Sequence, residues 1–219
     1  MRVLLTGFEP FDGQSVNASW LAVQAVAAAW VEVGHGDDDL VTACLPVSFA
    51  RAPQELSLRW AAARPDVVIC VGEAGGRARV GIEEVAVNRA AGEIPDNDGA
   101  WPADVPLVDG APGSYPTGLP SAECLAAVRA AGVPVELSGS AGRFVCNATF
   151  FAALHQAAAG GGVRVGFVHV PRTPAQVHDG GRSLPVEASA RALDAMLGVL
   201  LGPASVLPSG PVSPRSPVP

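Results

Sequence analysis

Apolar and polar residues form two kinds of block along this chain. Short apolar runs that end at glycine, proline or charged residues are typical of strands buried on both faces of a sheet. Longer stretches with apolar residues every three or four positions are typical of helices with one buried face. The pattern predicts strands over residues 2–6, 40–45, 66–71, 80–87, 133–137 and 163–168, and helices over residues 17–33, 48–64, 121–131, 144–158 and 186–201.

The order of these elements predicts the fold class. Strands that alternate with helices imply right-handed crossovers between parallel strands. We therefore expect an α/β protein, with residues 1–202 forming a single domain whose open, twisted, mostly parallel sheet has helices on both faces. Residues 89–119 are rich in glycine, proline and aspartate and are predicted to be loop, and the proline- and serine-rich residues 203–219 are predicted to form a flexible tail.

Composition narrows the functional classes. A chain of 219 residues with 49% apolar and 16% charged residues is typical of one compact globular domain. The net charge of −7 and the scattered basic residues argue against a nucleic-acid partner. No apolar stretch approaches the ~20 residues of a membrane span and no secretory signal is recognised, so we expect a cytoplasmic protein without a membrane partner.

The cysteines lack the spacing of a metal site, so we expect reduced thiols and no bound metal. They are Cys44, Cys70, Cys124 and Cys146. The last of them follows a turn rich in glycine and serine and stands where a helical pattern begins. The start of a helix favours the thiolate, which is the nucleophilic form of cysteine. Cys146 is therefore a candidate nucleophile, and the alternative is a buried structural cysteine.

A thiol nucleophile needs a nearby base, and His169 is the best candidate by elimination. His35 and His178 lie in polar turns. His155 follows Cys146 by nine residues, which places it on the opposite face of a continuous helix. His169 directly follows a predicted strand, at the edge of the sheet where we also expect Cys146. A purely structural role is the alternative for His169.

The acid that would orient the base is less clear from the pattern alone. In an extended run over residues 80–87, Glu83 faces the same side as two valines, whereas Glu84 faces solvent. A buried acid needs a partner, which is compatible with an orienting role for Glu83. Asp96 and Asp98 are predicted to be turn residues.

Four separate segments of the chain carry a family resemblance. They are Leu5-Thr-Gly-Phe-Glu-Pro-Phe11; Ile82-Glu-Glu-Val-Ala-Val-Asn88 with Ile94-Pro-Asp-Asn97; Ser140-Ala-Gly-Arg-Phe-Val-Cys-Asn147; and Gly166-Phe-Val-His-Val-Pro171 with Pro174-Ala-Gln-Val177. In order and spacing they resemble the pyroglutamyl peptidase I family of cysteine peptidases, from residue 2 to about residue 200.

The resemblance implies an activity: hydrolysis of the bond after an N-terminal pyroglutamyl residue of a peptide, through a thioester. It implies a catalytic triad of Cys146, His169 and Glu83, with the backbone N–H of Cys146 as an oxyanion donor and with no metal or organic cofactor. It further implies a homo-oligomer, since members of the family often form tetramers.

The resemblance also implies a substrate pocket. Phe8, Phe11 and Phe144 match the aromatic residues of the family's pocket, and Asn17 and the backbone at Glu73 match positions that hydrogen-bond the lactam. The phenylalanines could instead be core residues, and Asn17 could be only a helix N-cap. The glycine-rich loop after residue 71 could suggest a phosphate site, but its spacing is not the dinucleotide fingerprint.

Two departures from the family bear on activity. Glu93 and Glu84 stand where members usually carry arginine, and a carboxylate near a developing oxyanion should raise the barrier. Arg77, Arg79 or Arg89 could supply the missing cation. Two other hypotheses follow: a non-catalytic descendant that binds pyroglutamyl or other blocked N-termini, and an unrelated α/β enzyme acting on small molecules.

Overall fold

The computed structural model describes residues 1–32, 40–178 and 180–202. In these residues the strands are β1 (Val3–Phe8), β2 (Leu40–Leu45), β3 (Val67–Ala74), β4 (Val80–Glu83), β5 (Val85–Val87), β6 (Ser114–Pro116), β7 (Val135–Ser138) and β8 (Arg164–Pro171). The α-helices are α1 (Ala18–Glu32), α2 (Arg51–Ala63), α3 (Ser121–Ala130), α4 (Val145–Gly160) and α5 (Val186–Leu201). The predicted tail over residues 203–219 and His35 lie outside the described residues.

The central sheet has six strands in the order β2-β1-β3-β8-β4-β7. Its pairs are parallel except for the antiparallel pair of β4 and β8. One face packs against α1, α3 and α5, and the other packs against α2 and α4. This architecture confirms the predicted α/β class with a mostly parallel sheet and helices on both faces.

The prediction was wrong about the extended run over residues 80–87. The run breaks after Glu83, because the backbone of Glu84 bonds to Ser138 on one side and to Thr117 on the other. The chain then leaves the main sheet, and β5 pairs with β6 in a separate two-stranded sheet. β6 lies within the predicted loop over residues 89–119, so that segment contains a short strand.

The strands β1, β3 and β8 extend further toward their carboxyl ends than predicted. Glycine and polar residues such as Gly72 and His169 resemble strand terminators in the sequence. However, the ladder between β3 and β8 continues as far as the pair of Ala74 and Pro171. Gly72, Glu73 and His169 consequently lie inside the sheet, where their positions are fixed by backbone hydrogen bonds.

Asn147 fixes α4 to the second sheet. Its side chain is fully buried; Oδ1 accepts from the Val87 N–H at 2.9 Å, and Nδ2 donates to the carbonyls of Val87 and Arg89, both at 2.9 Å. Three backbone groups outside any helix are thereby paired by one amide. This contact sets the position of the first turn of α4, which contains Cys146.

We expect Asn147→Ala to lower the free energy of unfolding by about 2–4 kcal/mol, because it leaves three backbone groups without their partner. Urea unfolding measures the loss. Gln156→Ala is the matched control, since Gln156 is a partly exposed amide on the same helix, and it should change stability by less than about 0.5 kcal/mol. Equal stability of the two variants would contradict the assigned role of Asn147.

Candidate active site

His169 lies between two glycines in the central sheet. On β8 it is paired with Gly72 of the parallel strand β3 and with Gly81 of the antiparallel strand β4. Laterally paired residues project from the same face of a sheet, with Cβ atoms about 5 Å apart. Both neighbours lack a side chain, so space is open on each side of the histidine.

The thiol of Cys146 fills the space over Gly72. A Cβ placed on Gly72 would lie 2.8 Å from Cys146 Sγ and 2.9 Å from Phe167 Cζ. The sulfur therefore occupies the position of the missing side chain beside His169. Cys146 and His169, identified separately from the sequence, are brought together.

The route by which Cys146 reaches this position differs from the expectation. The sequence reading placed Cys146 after a strand whose carboxyl end lies at the same edge as that of β8. Instead β7 runs parallel to β4 and opposite to β8, so its carboxyl end points away from that edge. Residues 139–144 connect β7 to α4 and bring the chain back over the face of the sheet, where Asn147 holds the first turn of α4 with Cys146 in it.

Glu83 is the acid that contacts the histidine. Its Oε1 lies 2.8 Å from His169 Nδ1, and the carboxyl group is completely buried. A carboxylate can only accept a hydrogen bond, so Nδ1 carries the ring proton and Nε2 is left as an acceptor. Arg77 Nη1 donates to the same Oε1 at 3.1 Å. The imidazole is thus held in the tautomer that can take a proton.

The surroundings of Cys146 disfavour its charged form. Burial above all, and then the charges of Glu83, Cys70 and Glu73, raise the pKa of the thiol to about 12, and the backbone N–H of Cys146 itself acts in the opposite direction. The start of the helix thus acts in the expected direction, but burial and the nearby acids outweigh it and favour the neutral thiol.

Next to the thiol is a narrow pocket that contains every predicted binding residue. It is lined by Phe8, Phe11, Asn17, Val47, Glu73, Phe144, Val145 and Cys146 and encloses about 10 Å³, which is room for roughly one water molecule. The ring centroids of Phe11 and Phe144 are 6.2 Å apart. These walls are mainly apolar, with polar groups supplied by Asn17 and Glu73.

Asn17 can serve both as a helix cap and as a ligand donor. Its Oδ1 accepts from the backbone N–H of Ser19 at 3.0 Å, as an N-cap does, and from Ser19 Oγ at 2.7 Å. Nδ2 donates one hydrogen to the Glu9 carbonyl at 2.9 Å. An amide nitrogen has two hydrogens, so the second remains for a ligand in the pocket.

The carboxylate of Glu73 is occupied by the protein itself. Oε2 accepts from the Ala18 N–H at the start of α1 and from Gln176 Nε2, both at 2.7 Å, and Oε1 accepts from Arg172 Nε at 3.0 Å. Three segments of the chain meet at this buried group: β3 itself, the start of α1 and the segment after β8. Since β3 pairs with β1 only as far as Cys70, the backbone at Glu73 lies beyond that pairing and borders the pocket.

A larger cavity adjoins the narrow pocket. It measures about 480 Å³ and is lined by Ala91, Gly92, Glu93, Ile94, Ser140, Gly142, Arg143 and Phe144. Phe144 lines both spaces. Glu93 is exposed in this cavity, whereas Glu84 is exposed elsewhere.

The arginines suggested as replacement cations are engaged in other contacts or lie elsewhere. Arg89 binds Asp104 through Nε at 3.0 Å and Nη2 at 2.6 Å, and Arg77 binds Glu83. Arg79 is exposed and does not line either space. None of these three arginines therefore lies in the cavity beside Glu93.

The remaining acids and histidines lie outside the site. Asp96 is buried in its own turn, where Oδ2 accepts from the Phe49 N–H at 2.8 Å, and Asp98 pairs with Arg51. His155 Nδ1 lies 2.8 Å from the Tyr115 hydroxyl, and His178 is exposed.

Within residues 1–32, 40–178 and 180–202, no cluster of three or more potential metal ligands occurs, and no helix is both long and apolar enough to span a bilayer.

Sequence reasoning missed the two glycines. Gly72 and Gly81 have no chemistry of their own, and a glycine next to a strand suggests only a turn. The signal that could have revealed Gly72 is its position two residues after Cys70, which keeps it on the same face of a continuing strand.

Comparisons with known proteins agree on one family. The family model described as pyroglutamyl peptidase matches residues 1–201. The chain is similar to the pyrrolidone-carboxylate peptidase of Gloeobacter violaceus, at 40% identity over 94% of this chain and 100% of the relative, and to that of Clavibacter michiganensis, at 46% identity over 77% and 78%. It is also similar to the crystal structure of pyroglutamyl peptidase I from Bacillus amyloliquefaciens, with a TM-score of 0.83 and 34% identity over 89% of this chain and 92% of that one.

We expect Gly72→Ala to slow alkylation of Cys146 by iodoacetamide at least about tenfold at neutral pH, because the new methyl group displaces the sulfur from the histidine. Peptide mass mapping follows Cys146 apart from the other thiols. Gly139→Ala is the control, because nothing lies within 4 Å of its added Cβ. An unchanged alkylation rate in Gly72→Ala would show that the sulfur does not depend on this space.

Proposed function

This chain belongs to the pyroglutamyl peptidase family, and on that premise we propose that it removes an N-terminal pyroglutamyl residue from peptides, with Cys146 as nucleophile, His169 as base and Glu83 as the orienting acid. The observation that carries the proposal is the arrangement around His169. One side of the histidine faces the sulfur over Gly72, and Nδ1 is held by a buried carboxylate at 2.8 Å. Nucleophile, base and orienting acid thus follow one another in the arrangement that a thiol hydrolase requires.

The raised pKa of Cys146 means that the thiol loses its proton as it reacts. As Sγ attacks the pyroglutamyl carbonyl carbon, Nε2 of His169 takes the thiol proton, and the carbonyl oxygen gains the negative charge. The first intrahelical bond of α4 is donated by Ala148 to the Phe144 carbonyl. The N–H of Cys146 precedes that bond and is available to stabilise the oxyanion.

The second half of the reaction returns the proton. Imidazolium His169 protonates the leaving amine as the C–N bond breaks, which leaves a thioester between Cys146 and the pyroglutamyl group. A water molecule, deprotonated by the same imidazole, then attacks the thioester carbon. Pyroglutamate departs and the proton returns to the sulfur, so the enzyme is regenerated without a cofactor.

The narrow pocket is proposed to hold the lactam ring. Its aromatic walls suit a small, flat, uncharged ring, and the free hydrogen on Asn17 Nδ2 can bind the lactam carbonyl. The rings of Phe11 and Phe144, with centroids 6.2 Å apart, would form the wall against which the lactam ring packs.

The part of the bound peptide that follows the pyroglutamyl residue is proposed to lie in the larger cavity. This cavity shares Phe144 with the lactam pocket and has the size of a typical ligand cleft. In this arrangement the scissile bond lies near the start of α4, and Glu93 is close to the developing oxyanion.

Two further features belong to the proposal. A cytoplasmic location fits the four free cysteines, because thiols stay reduced there. A homotetramer is inferred from the resemblance to the family. The alternative of a non-catalytic binding protein rested on Glu93, and nothing in the comparisons supports it.

We expect the purified protein to hydrolyse a chromogenic pyroglutamyl amide, and we expect Cys146→Ser to reduce kcat/KM at least about a thousandfold, because the hydroxyl is a far weaker nucleophile here. Release of the chromophore is the measurement. Cys44→Ser replaces an exposed cysteine outside the site and should retain full activity. Absence of hydrolysis by the wild-type protein would refute the proposed function.

We expect Glu93→Arg to raise kcat about tenfold to a hundredfold, because it replaces a carboxylate beside the developing oxyanion with a cation. Steady-state hydrolysis of the same amide measures the change. Glu84→Arg makes an identical charge change at an exposed position outside the cavity and should leave kcat unaltered. If Glu93→Arg turns over at the wild-type rate, position 93 does not govern the oxyanion.

A further inference from the structure

Arg77 contacts the buried acid of the proposed triad from the edge of the site. Its Nη1 donates at 3.1 Å to Glu83 Oε1, the same oxygen that faces His169 Nδ1 at 2.8 Å. The Glu83 side chain is 0% exposed, whereas that of Arg77 is 30% exposed. A guanidinium thus reaches inward from solvent to a carboxylate that water does not contact.

Gly81 creates the space for this contact. A Cβ on Gly81 would lie 2.5 Å from Arg77 Nη1 and only 3.4 Å from Glu83 Oε1. Since Gly81 is paired with His169, the guanidinium occupies one flank of the histidine and the sulfur occupies the other. Any side chain at position 81 would push Arg77 away from the carboxylate.

The contact supplies the positive charge that a buried carboxylate needs. While His169 is neutral, Arg77 is the cation in contact with Glu83 among the described residues. Of the other titratable groups here, Cys146 from α4 interacts with Glu83, and Cys70 and Glu73 from β3 act on Cys146. Arg172, from the segment after β8, is paired with Glu73 rather than with Glu83. Removal of Arg77 would therefore leave Glu83 without a contacting cation while His169 is neutral.

Both hydrogen bonds to Glu83 converge on one oxygen. Oε2 has no hydrogen-bond partner in the described part of the chain. The orientation of the carboxylate therefore depends on the two donors at Oε1. If this group became protonated it could donate to Nδ1, and the ring proton would then reside on Nε2, which could no longer accept the thiol proton.

We propose that Arg77 is a positioning residue of the hydrolysis: seated over Gly81, it keeps Glu83 charged and turned toward Nδ1, so that Nε2 of His169 remains free to accept the proton of Cys146. The inference rests on the proposed function, and it assigns Arg77 a role through Glu83 without contact to the substrate.

The test is the pH profile of kcat/KM for a pyroglutamyl amide. Arg77→Gln should move the acid limb about one pH unit higher, because loss of a cation makes the buried pair bind a proton more tightly. Arg77→Lys keeps the charge and should keep the limb within about 0.3 unit of wild type. Arg59→Gln, which breaks the exposed Arg59–Glu55 pair on α2, should leave the profile unchanged.

Gly81→Ala supplies an independent route to the same state. It should shift the acid limb as Arg77→Gln does, and the double variant should shift it no further, because both changes break one contact. An additive shift would overturn the proposal. So would an acid limb that stays at the wild-type pH in Arg77→Gln, or a uniform loss of rate at every pH in both Arg77 variants, since either result would assign Arg77 a purely structural role.

The pH dependence of Cys146 alkylation by iodoacetamide separates this inference from the proposed function, because it requires no particular substrate. A shifted alkylation profile in Arg77→Gln supports the role of Arg77 even if the pyroglutamyl amide is not hydrolysed. An active enzyme whose hydrolysis and alkylation profiles are both unshifted in that variant overturns the role of Arg77 and leaves the peptidase assignment intact.

Discussion

The antiparallel register of β4 against β8 determines where the groups of the proposed triad lie. It places Gly81 opposite His169 and Glu83 opposite Phe167, so that the carboxylate meets the imidazole from two residues along the neighbouring strand. A shift of one residue would turn Glu83 to the other face of the sheet. The ladder is backbone hydrogen bonding between buried strands, and this rigidity holds the imidazole without help from flexible loops.

Two buried carboxylates near the pocket show how the fold accommodates charge. Glu73 receives three donors and joins α1 to the segment after β8. Glu83 receives two donors on one oxygen and, in the described part of the chain, none on the other. Both oxygens of Glu73 are held, one of them by the Arg172 cation, which suits a structural joint, whereas Glu83 keeps a free oxygen beside the histidine.

Much of the fold follows from the sequence, because periodicity reports burial directly. The bounds of β2 and α5 agree with the pattern, and the meeting of Cys146 with His169 was expected. The direction of β4 and β7 was not, because a run of apolar residues looks the same in a parallel and an antiparallel strand. The raised pKa of Cys146 also could not be predicted, since it depends on neighbours such as Glu83 and Cys70 that are distant in the chain.

The pairing of Glu73 with Arg172 has a consequence for which peptide ends are accepted. An ordinary N-terminus carries an ammonium group that would have to shed its hydration shell to enter the pocket of Phe8, Phe11, Val47 and Phe144. Among the described residues, Glu73 is the carboxylate that lines this pocket, and since its charge is already paired with Arg172 it is a poor counter-ion for an incoming ammonium. On the proposed function, discrimination against unmodified peptides would arise from dehydration of charge, and a cyclised end would pass because it has no charge to strip.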